Sequence, residues 1–207
     1  ENGVVHGINS GTVNITASFA GEMGDPVTAT MEVRVLTYKT ILNHTMATVD
    51  EYNAVVDGYI NRVPGRDETR KPSYDASSQS MVYLTEGLWT SSGFKYDITS
   101  LVSEYPVGTE FKLSMDVKPG ASPVYIGFLY DNDTNGTAGE AFNVPTNEFT
   151  NISTLVTLKD YSDKVYLYTY CGNPTISAKN INLMVSVPDD KPEIGIELEK
   201  ETYYQNE

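Results

Sequence analysis

The segment EFKLSMDVKPGASPVYIGFLYD (residues 110–131) decides the fold of this chain. Apolar residues occupy every second position in both of its halves: Phe111, Leu113, Met115 and Val117, then Val124, Ile126, Phe128 and Tyr130. Side chains alternate between the two faces of a strand, so each half predicts a strand with one buried face. Pro119 and Gly120 lie between the halves and are typical of a turn.

Five further segments between residues 38 and 188 also have the character of strands. They are MVYL (81–84), FKYDI (94–98), NISTLVTL (151–158), KVYLYTY (164–170) and NINLMVSV (180–187). Turn residues such as Pro106, Gly108, Asn135 and Gly136 separate them, and no amphipathic helix pattern intervenes. The region therefore predicts an all-β sandwich or barrel.

The two ends of the chain carry separate β patterns. Residues 12–17 and 27–35 both alternate, with the turn residues Gly24, Asp25 and Pro26 between them. A two-stranded hairpin cannot bury a core alone, so residues 1–37 are expected to belong to a larger domain. We accordingly divide the chain into residues 1–37, 38–188 and 189–207.

Composition narrows the classes of partner. The chain has 207 residues, with 14 Lys and Arg against 28 Asp and Glu and a net charge of -14. That excess of negative charge argues against binding to nucleic acid or anionic membranes. No apolar run is long enough for membrane insertion and no leader opens the chain, so any export signal is expected outside it. The single Cys171 is expected to be a buried thiol.

The strand KVYLYTY suggests a binding surface. If Val165, Leu167 and Thr169 face inward, then Tyr166, Tyr168 and Tyr170 share the opposite face, with successive rings about 7 Å apart. A phenol ring covers the C–H patch of a sugar while its hydroxyl stays available for hydrogen bonds. The alternative is that this face is the core and that the tyrosines are packed in it.

The loop NRVPGRDETRKP is unusually basic for this acidic chain. Three of the four arginines of the whole chain lie in this loop, at Arg62, Arg66 and Arg70. A guanidinium can donate to vicinal hydroxyls or to a uronate carboxylate, and Arg62 is the best candidate because it lies nearest a strand. A solvated loop, with Asp67 and Glu68 neutralising the arginines, is the alternative.

The segment DNDTNG (131–136) matches the first half of a calcium loop. Oxygen ligands at alternating positions, followed by glycine, suit that ion, with Asp131 and Asp133 as candidate ligands. The closing glutamate is absent, because Phe142 occupies its place. A plain hairpin with its turn at Asn135-Gly136 is the simpler interpretation.

No catalytic motif is present in the sequence. His6 and His44 lie outside any recognisable constellation, and no nucleophile elbow, zinc-binding helix or phosphate loop occurs. A glycosidase needs two carboxylates across a cleft, and no such pair can be chosen from spacing. We therefore expect that the chain is not an enzyme.

The ends of the chain resemble bacterial Ig-like group 2 domains. The matching residues are NGVVHGINSGTVNITASF (2–19) and TATMEVRVL (28–36), and IGIELEKETYYQNE (194–207) is similar to the opening strand of another such domain. The resemblance implies an extracellular, secreted or surface-attached bacterial protein in which such domains act as spacers. Alternatively, the last strand pairs with the N-terminal hairpin and completes one hybrid Ig-like domain, with the central region inserted in it.

The central region resembles β-jelly-roll carbohydrate-binding modules of family 22 and of families 4 and 9. The resemblance rests on the order of VDGYINRV, SYDASSQSMVYL, WTSSGFKYDITSLV, VGTEFKLSMDVKPG, NEFTNISTLVTL, KVYLYTY and NINLMVSV. Trp89 and Tyr168 match family positions directly. Two family ligand residues are missing, since TEGLW precedes the tryptophan without an arginine and Tyr170 replaces a glutamate.

The resemblance implies an all-β fold, a jelly-roll β-sandwich plus a partial or hybrid Ig-like β-sandwich, and often one structural calcium. It also implies a non-catalytic module that anchors a larger protein to a polysaccharide or oligosaccharide. The expected ligand is xylan or another β-glycan first and a starch-type α-glucan second, and we expect a monomer. Expected sugar contacts are stacking by Trp89, Tyr166, Tyr168, Tyr170 and Tyr125, and hydrogen bonds from Arg62 and Gln79. The alternative is a structural or adhesive spacer without a sugar site.

Overall fold

The computed structural model describes residues 4–7, 11–20, 26–35, 37–61, 70–84, 91–131, 137–161, 163–172, 175–187 and 194–197. The chain divides into two compact units, one of residues Lys39–Val185 and one that combines Glu1–Tyr38 with Ser186–Glu207. Each unit is described by itself below.

Strands dominate the described residues. In chain order they are β1 (Val4–Gly7), β2 (Gly11–Ala20), β3 (Pro26–Val35), β4 (Thr37–His44), β5 (Tyr59–Asn61), β6 (Ser73–Asp75), β7 (Ser80–Leu84), β8 (Ser92–Asp97), β9 (Glu110–Pro119), β10 (Val124–Tyr130), β11 (Thr137–Phe142), β12 (Thr150–Thr157), β13 (Val165–Cys171), β14 (Thr175–Val187) and β15 (Ile194–Glu197). The helical segments described are α1 (Val49–Val55), a 3₁₀ turn (Val56–Gly58) and α2 (Thr99–Val102). The expected all-β class is confirmed.

The smaller unit brings the two ends of the chain together. Strand β1 pairs antiparallel with β15, so that Val4 lies opposite Glu197 and Gly7 opposite Ile194. Strands β2 and β3 form an antiparallel hairpin in which Val13 faces Val33. The last segment thus shares a unit with the first. Strand β15 pairs with β1, however, and not with the β2–β3 hairpin that the hybrid alternative names, so the division into residues 1–37, 38–188 and 189–207 and the hybrid alternative both stay predictions. The Ig-like assignment of these segments stays a prediction.

The larger unit is a β-sandwich of two antiparallel sheets. One sheet has five strands in the order β11-β10-β13-β8-β5, and the other has the order β12-β9-β14-β7-β6 with β4 also paired to β14. The alternation in residues 110–131 has the predicted effect, because every apolar position of β9 and β10 named above is buried. The rings of Phe111 on β9 and Phe128 on β10 lie 5.6 Å apart and join the two sheets across the core.

Strand β14 begins earlier than the sequence pattern predicted. Its buried apolar positions change from even to odd numbers between Ala178 and Ile181, because a β-bulge shifts the register between Lys179 and Asn182. The bulge residue Asn180 has a φ of 50°. Its Nδ2 donates to Asp116 Oδ2 over 2.6 Å, and Asn151 Nδ2 donates to the other oxygen of Asp116 over 2.7 Å. Side chains from three strands therefore hold the bulge in place.

Helix α1 begins at a complete capping box. The backbone N–H of Glu51 donates to Thr48 Oγ1 over 3.2 Å, while Glu51 Oε2 accepts from the backbone N–H of Ala47 and of Thr48. The hydroxyl of Thr45 donates to the same oxygen over 2.6 Å and is the main cause of the lowered pKa of Glu51. These contacts fix the connection between β4 and the first helix.

Candidate functional site

The outer face of the five-stranded sheet carries the predicted tyrosines. Strand register places three rows of residues across this face, one row beside the next. The central row is Gly139, Gly127, Tyr168, Lys95 and Ile60; the flanking rows are Ala141, Tyr125, Tyr170 and Gly93, and Thr137, Leu129, Tyr166 and Asp97. Val165, Leu167 and Thr169 lie on the opposite side, in the core. We call these three rows the tyrosine face.

The tyrosines of this face differ in exposure. Tyr125 is 39% exposed and Tyr170 is half-buried, and their ring centroids lie 6.1 Å apart with an interplanar angle of 49°. Tyr166 and Tyr168 retain only 5% and 3% of their accessible surface. The alternation thus predicted the face of all three β13 tyrosines, but the exposed aromatic surface belongs to Tyr125 and Tyr170. Strand β13 is the middle strand of its sheet, so its side chains have neighbours from both β8 and β10.

Glycines shape the surface beside the tyrosines. Gly127 lies opposite Tyr168, and Gly93 lies opposite Tyr170. A Cβ atom added at Gly127 would overlap the carbonyl oxygen of Ala138, and one added at Gly93 would overlap that of Thr169. The close approach of neighbouring strands therefore requires glycine at both positions. As a result, no side chain stands across from either ring at these positions.

Polar groups lie around Tyr166, one of the two buried tyrosines of the tyrosine face. The ammonium of Lys95 lies 4.4 Å from the ring centroid of Tyr166, a cation–π contact. The Tyr166 hydroxyl donates to Asp131 Oδ2 over 3.4 Å. Partial burial acts to raise the pKa of Asp97, but hydrogen bonds from Thr99 and the nearby Lys164 ammonium bring this pKa below its usual value.

Of the remaining residues predicted to bind a ligand, Gln79 lies away from the tyrosine face. Gln79 is exposed, with a φ of 49°, on the turn between β6 and β7 of the other sheet. In the same turn the hydroxyls of Ser78 and Ser77 donate to Asp75 and lower its pKa to about 2. Trp89, Arg62 and Asp133 lie outside the described residues.

The described residues contain no cluster of three His, Cys, Asp or Glu side chains that could hold a metal ion. Asp131, the calcium candidate they include, is half-buried at the end of β10, and its backbone N–H donates to the carbonyl of Lys164. His44 has a structural role, since its Nδ1 lies 2.8 Å from the Tyr59 hydroxyl and burial lowers its pKa. Within the described ranges, no helix is both long and apolar enough to cross a membrane.

Sequence reasoning missed Lys95 and the glycines of the tyrosine face. The segment FKYDI predicts that Phe94 and Tyr96 share a face, which leaves Lys95 on the other one. The sequence does not show that β8 lies next to β13, and only that pairing places Lys95 across from Tyr168. Local alternation finds the face of a residue but not its neighbours from distant strands.

Comparison with models of known protein families finds no match, and neither does comparison with curated protein sequences. Among solved structures, one match is a Clostridium thermocellum endo-1,4-β-D-xylanase, in a structure of its family 22 carbohydrate-binding and family 10 hydrolase modules with xylohexaose. The match covers 75% of this chain and 30% of that chain, at 15% identity and a TM-score of 0.46. A xylan-binding domain from Paenibacillus barcinonensis matches 75% of this chain and 99% of its own at 12% identity and a TM-score of 0.40. A cyclase from Fischerella sp. TAU matches 72% of this chain and 98% of its own at 10% identity and a TM-score of 0.43.

Proposed function

We propose that the larger unit is a non-catalytic carbohydrate-binding module and that its ligand lies on the tyrosine face. The observation that carries this proposal is the pair of adjacent, accessible phenol rings of Tyr125 and Tyr170 on neighbouring strands of one sheet. The order of segments that resembles jelly-roll carbohydrate-binding modules supports it independently.

The chemistry of the pair suits a sugar ligand. Each phenol offers a flat apolar face to the C–H groups of a pyranose and keeps a hydroxyl for hydrogen bonds at its edge. Because Tyr125 and Tyr170 lie opposite each other in the sheet, the backbone fixes their spacing before a ligand binds. Such preorganisation reduces the entropy lost on binding.

Other residues would extend this site. We propose Trp89 as a further stacking ring and Arg62 as a donor to sugar hydroxyls, both on the family resemblance and the chemistry of the side chains. Tyr166 and Tyr168 would support the exposed rings from the enclosed part of the face. Gln79 is left out of this proposal, because its turn belongs to the other sheet.

We propose xylan or another β-glycan as the first ligand and a starch-type α-glucan as the second. In this proposal the module is monomeric and anchors a secreted or surface-attached multimodular bacterial protein to polysaccharide. Contacts through two or three rings give modest affinity for one module. Tethering to other modules raises the overall affinity through effective concentration.

Replacing Tyr125 with alanine tests the site directly. We expect about tenfold or greater loss of affinity, because a ring contact of about 1.4 kcal/mol or more disappears from the exposed end of the face. The measurement is affinity electrophoresis through gels that contain xylan, mixed-linkage glucan, mannan, pectin or starch. The control is Leu155→Ala, since Leu155 is 53% exposed on a strand of the other sheet.

Retardation of the unmodified protein and of Leu155→Ala, with weak retardation of Tyr125→Ala, is the expected pattern. Equal retardation of all three proteins would remove the tyrosine face from the proposal but would leave a sugar-binding function. Free migration of the unmodified protein in every gel would contradict the function itself.

A structural or adhesive spacer is the second candidate. The enclosure of Tyr166 and Tyr168 favours it, because it reduces the aromatic surface that a glycan could reach. The missing arginine and glutamate of the family site favour it too. In this case the gels would retard none of the proteins.

We also propose one structural calcium ion held by residues 131–136, with Asp131 and Asp133 as ligands. Carboxylate oxygens at alternating positions are the ligand set that calcium prefers. Chelation with EDTA is expected to lower the Tm and added Ca²⁺ to restore it, because calcium at 100 times its Kd stabilises the folded state by about 2.7 kcal/mol. Asp131→Ala should abolish this response. An unchanged Tm after chelation would contradict the site.

A further inference from the structure

Lys95 is the one charged side chain among the buried residues that the structure describes. It retains 8% of its accessible surface and lies in the central row of the tyrosine face, between Tyr168 and Ile60. Tyr168, opposite it on β13, is also buried, so the position is enclosed on that side. A lysine in such a place needs an explanation, because lysine is among the residues least often buried.

Within the described part of the chain, Lys95 has neither an ion pair nor a hydrogen bond. Its ammonium lies over the ring of Tyr166, at 4.4 Å from the centroid. The acidic groups on the same side of the sheet have other partners, since Asp97 pairs with Lys164 at 3.4 Å and Asp131 accepts from Tyr166. The ring attracts the cation but supplies no acceptor oxygen.

Three other lysines in the described residues have polar partners. Lys71 pairs with Asp57, and Lys164 pairs with Asp97. Lys179 donates to the carbonyl of Ser78 over 3.1 Å besides lying over the ring of Phe149. Among the described residues, Lys118, like Lys95, contacts only a ring, that of Phe149, but it is half-buried, so Lys95 is the most buried of these lysines. The Lys95 ammonium nitrogen is not one of the fully buried polar atoms that lack a partner, so it keeps some accessible surface although its stem is enclosed. A ligand that reaches it would supply the acceptor that the described residues do not.

We infer that Lys95 selects a glycan that carries uronic acid residues by binding their carboxylate. This inference rests on the proposed function of the tyrosine face. A carboxylate forms a charge-assisted hydrogen bond with an ammonium, which is about twice as strong as a neutral one. A sugar hydroxyl would satisfy the donor but not its charge.

The net charge of the chain further limits the class of glycan that can bind. A net charge of -14 repels a dense polyanion at long range. A mainly neutral polysaccharide with scattered uronic acid branches avoids most of that repulsion and still offers single carboxylates at short range. The fitting class is therefore a neutral backbone with acidic substituents, such as a glucuronoxylan, rather than a continuous polyuronate.

The experiment compares glucuronoxylan oligosaccharides with the same oligosaccharides after chemical reduction of their carboxyl groups to alcohols. Isothermal titration of the whole chain should show about tenfold tighter binding of the unreduced form, the effect of one added charge-assisted contact. Lys95→Met retains the length and apolar stem of the side chain without its charge. This variant should bind both forms with the affinity that the unmodified protein shows for the reduced form.

Each result is decisive. Equal binding of both forms by the unmodified protein, or an undiminished preference in Lys95→Met, would overturn the inference and leave the sugar-binding function standing. Binding to neither form, together with free migration in every polysaccharide gel, would instead remove the proposed function. If Lys95→Met does not fold, Lys95→Gln takes its place, because it removes the charge and keeps a polar end; an undiminished preference in that variant would overturn the inference.

Discussion

Phe128→Ala is expected to destabilise the larger unit by about 3–5 kcal/mol. Phe128 is fully buried in the middle of β10, and its ring meets that of Phe111 from the other sheet at a centroid distance of 5.6 Å. Removing the ring leaves a cavity between the two sheets, because the backbones of paired strands cannot close around it. A loss of this size approaches the whole stability of many domains, which is about 5–15 kcal/mol.

Urea unfolding followed by circular dichroism measures this loss. Phe128→Leu keeps most of the buried volume and should cost clearly less than the alanine variant. Leu155→Ala again serves as the control, since truncating a half-exposed side chain on an outer face should change the free energy of unfolding by less than about 0.5 kcal/mol. A cost below about 1 kcal/mol for Phe128→Ala would mean that the two sheets do not pack through this ring.

The fold could be predicted from the sequence where one face of a strand is apolar throughout. Strands β9 and β10 show this, because their large apolar side chains occupy every second position and are all buried. Prediction failed where the period changes, as in β14, whose bulge at Asn180 moves the apolar positions from even to odd numbers. Short strands such as β5 and β6 were also missed, since three residues are too few to show alternation.

The candidate site could be predicted only as far as the face of each side chain. Alternation placed Tyr166, Tyr168 and Tyr170 together, and the register confirms that grouping. It could not show that Tyr168 is enclosed while Tyr125 is exposed, because burial depends on strands that are distant in sequence. Lys95 shows the same limit: its relation to the tyrosines follows from the pairing of β8 with β13, which no local pattern encodes.

Gly127→Ala is expected to cost about 3 kcal/mol and to weaken glycan binding at the same time. The added Cβ would overlap the carbonyl oxygen of Ala138, which belongs to the backbone of β11 and cannot rotate away. Relief therefore requires β10 and β11 to move apart. Tyr125 lies two residues from Gly127 on the same face of β10, so this movement would also displace the exposed ring of the proposed site.

Two other glycines serve as controls, because an alanine there shows the effect of replacing glycine without steric overlap of the added Cβ. A Cβ added at Gly172 meets no atom within 4 Å, so Gly172→Ala should change stability by less than about 0.5 kcal/mol. Gly108 is also open but has a φ of 93°, and its alanine variant should show only backbone strain, about 1 kcal/mol. Urea unfolding should therefore give Gly127→Ala the lowest free energy of unfolding of the three variants, Gly108→Ala a higher one and Gly172→Ala the highest. If Gly127→Ala is as stable as Gly172→Ala, the approach of β10 to β11 is looser than the structure has it, and the proposed position of Tyr125 loses its support.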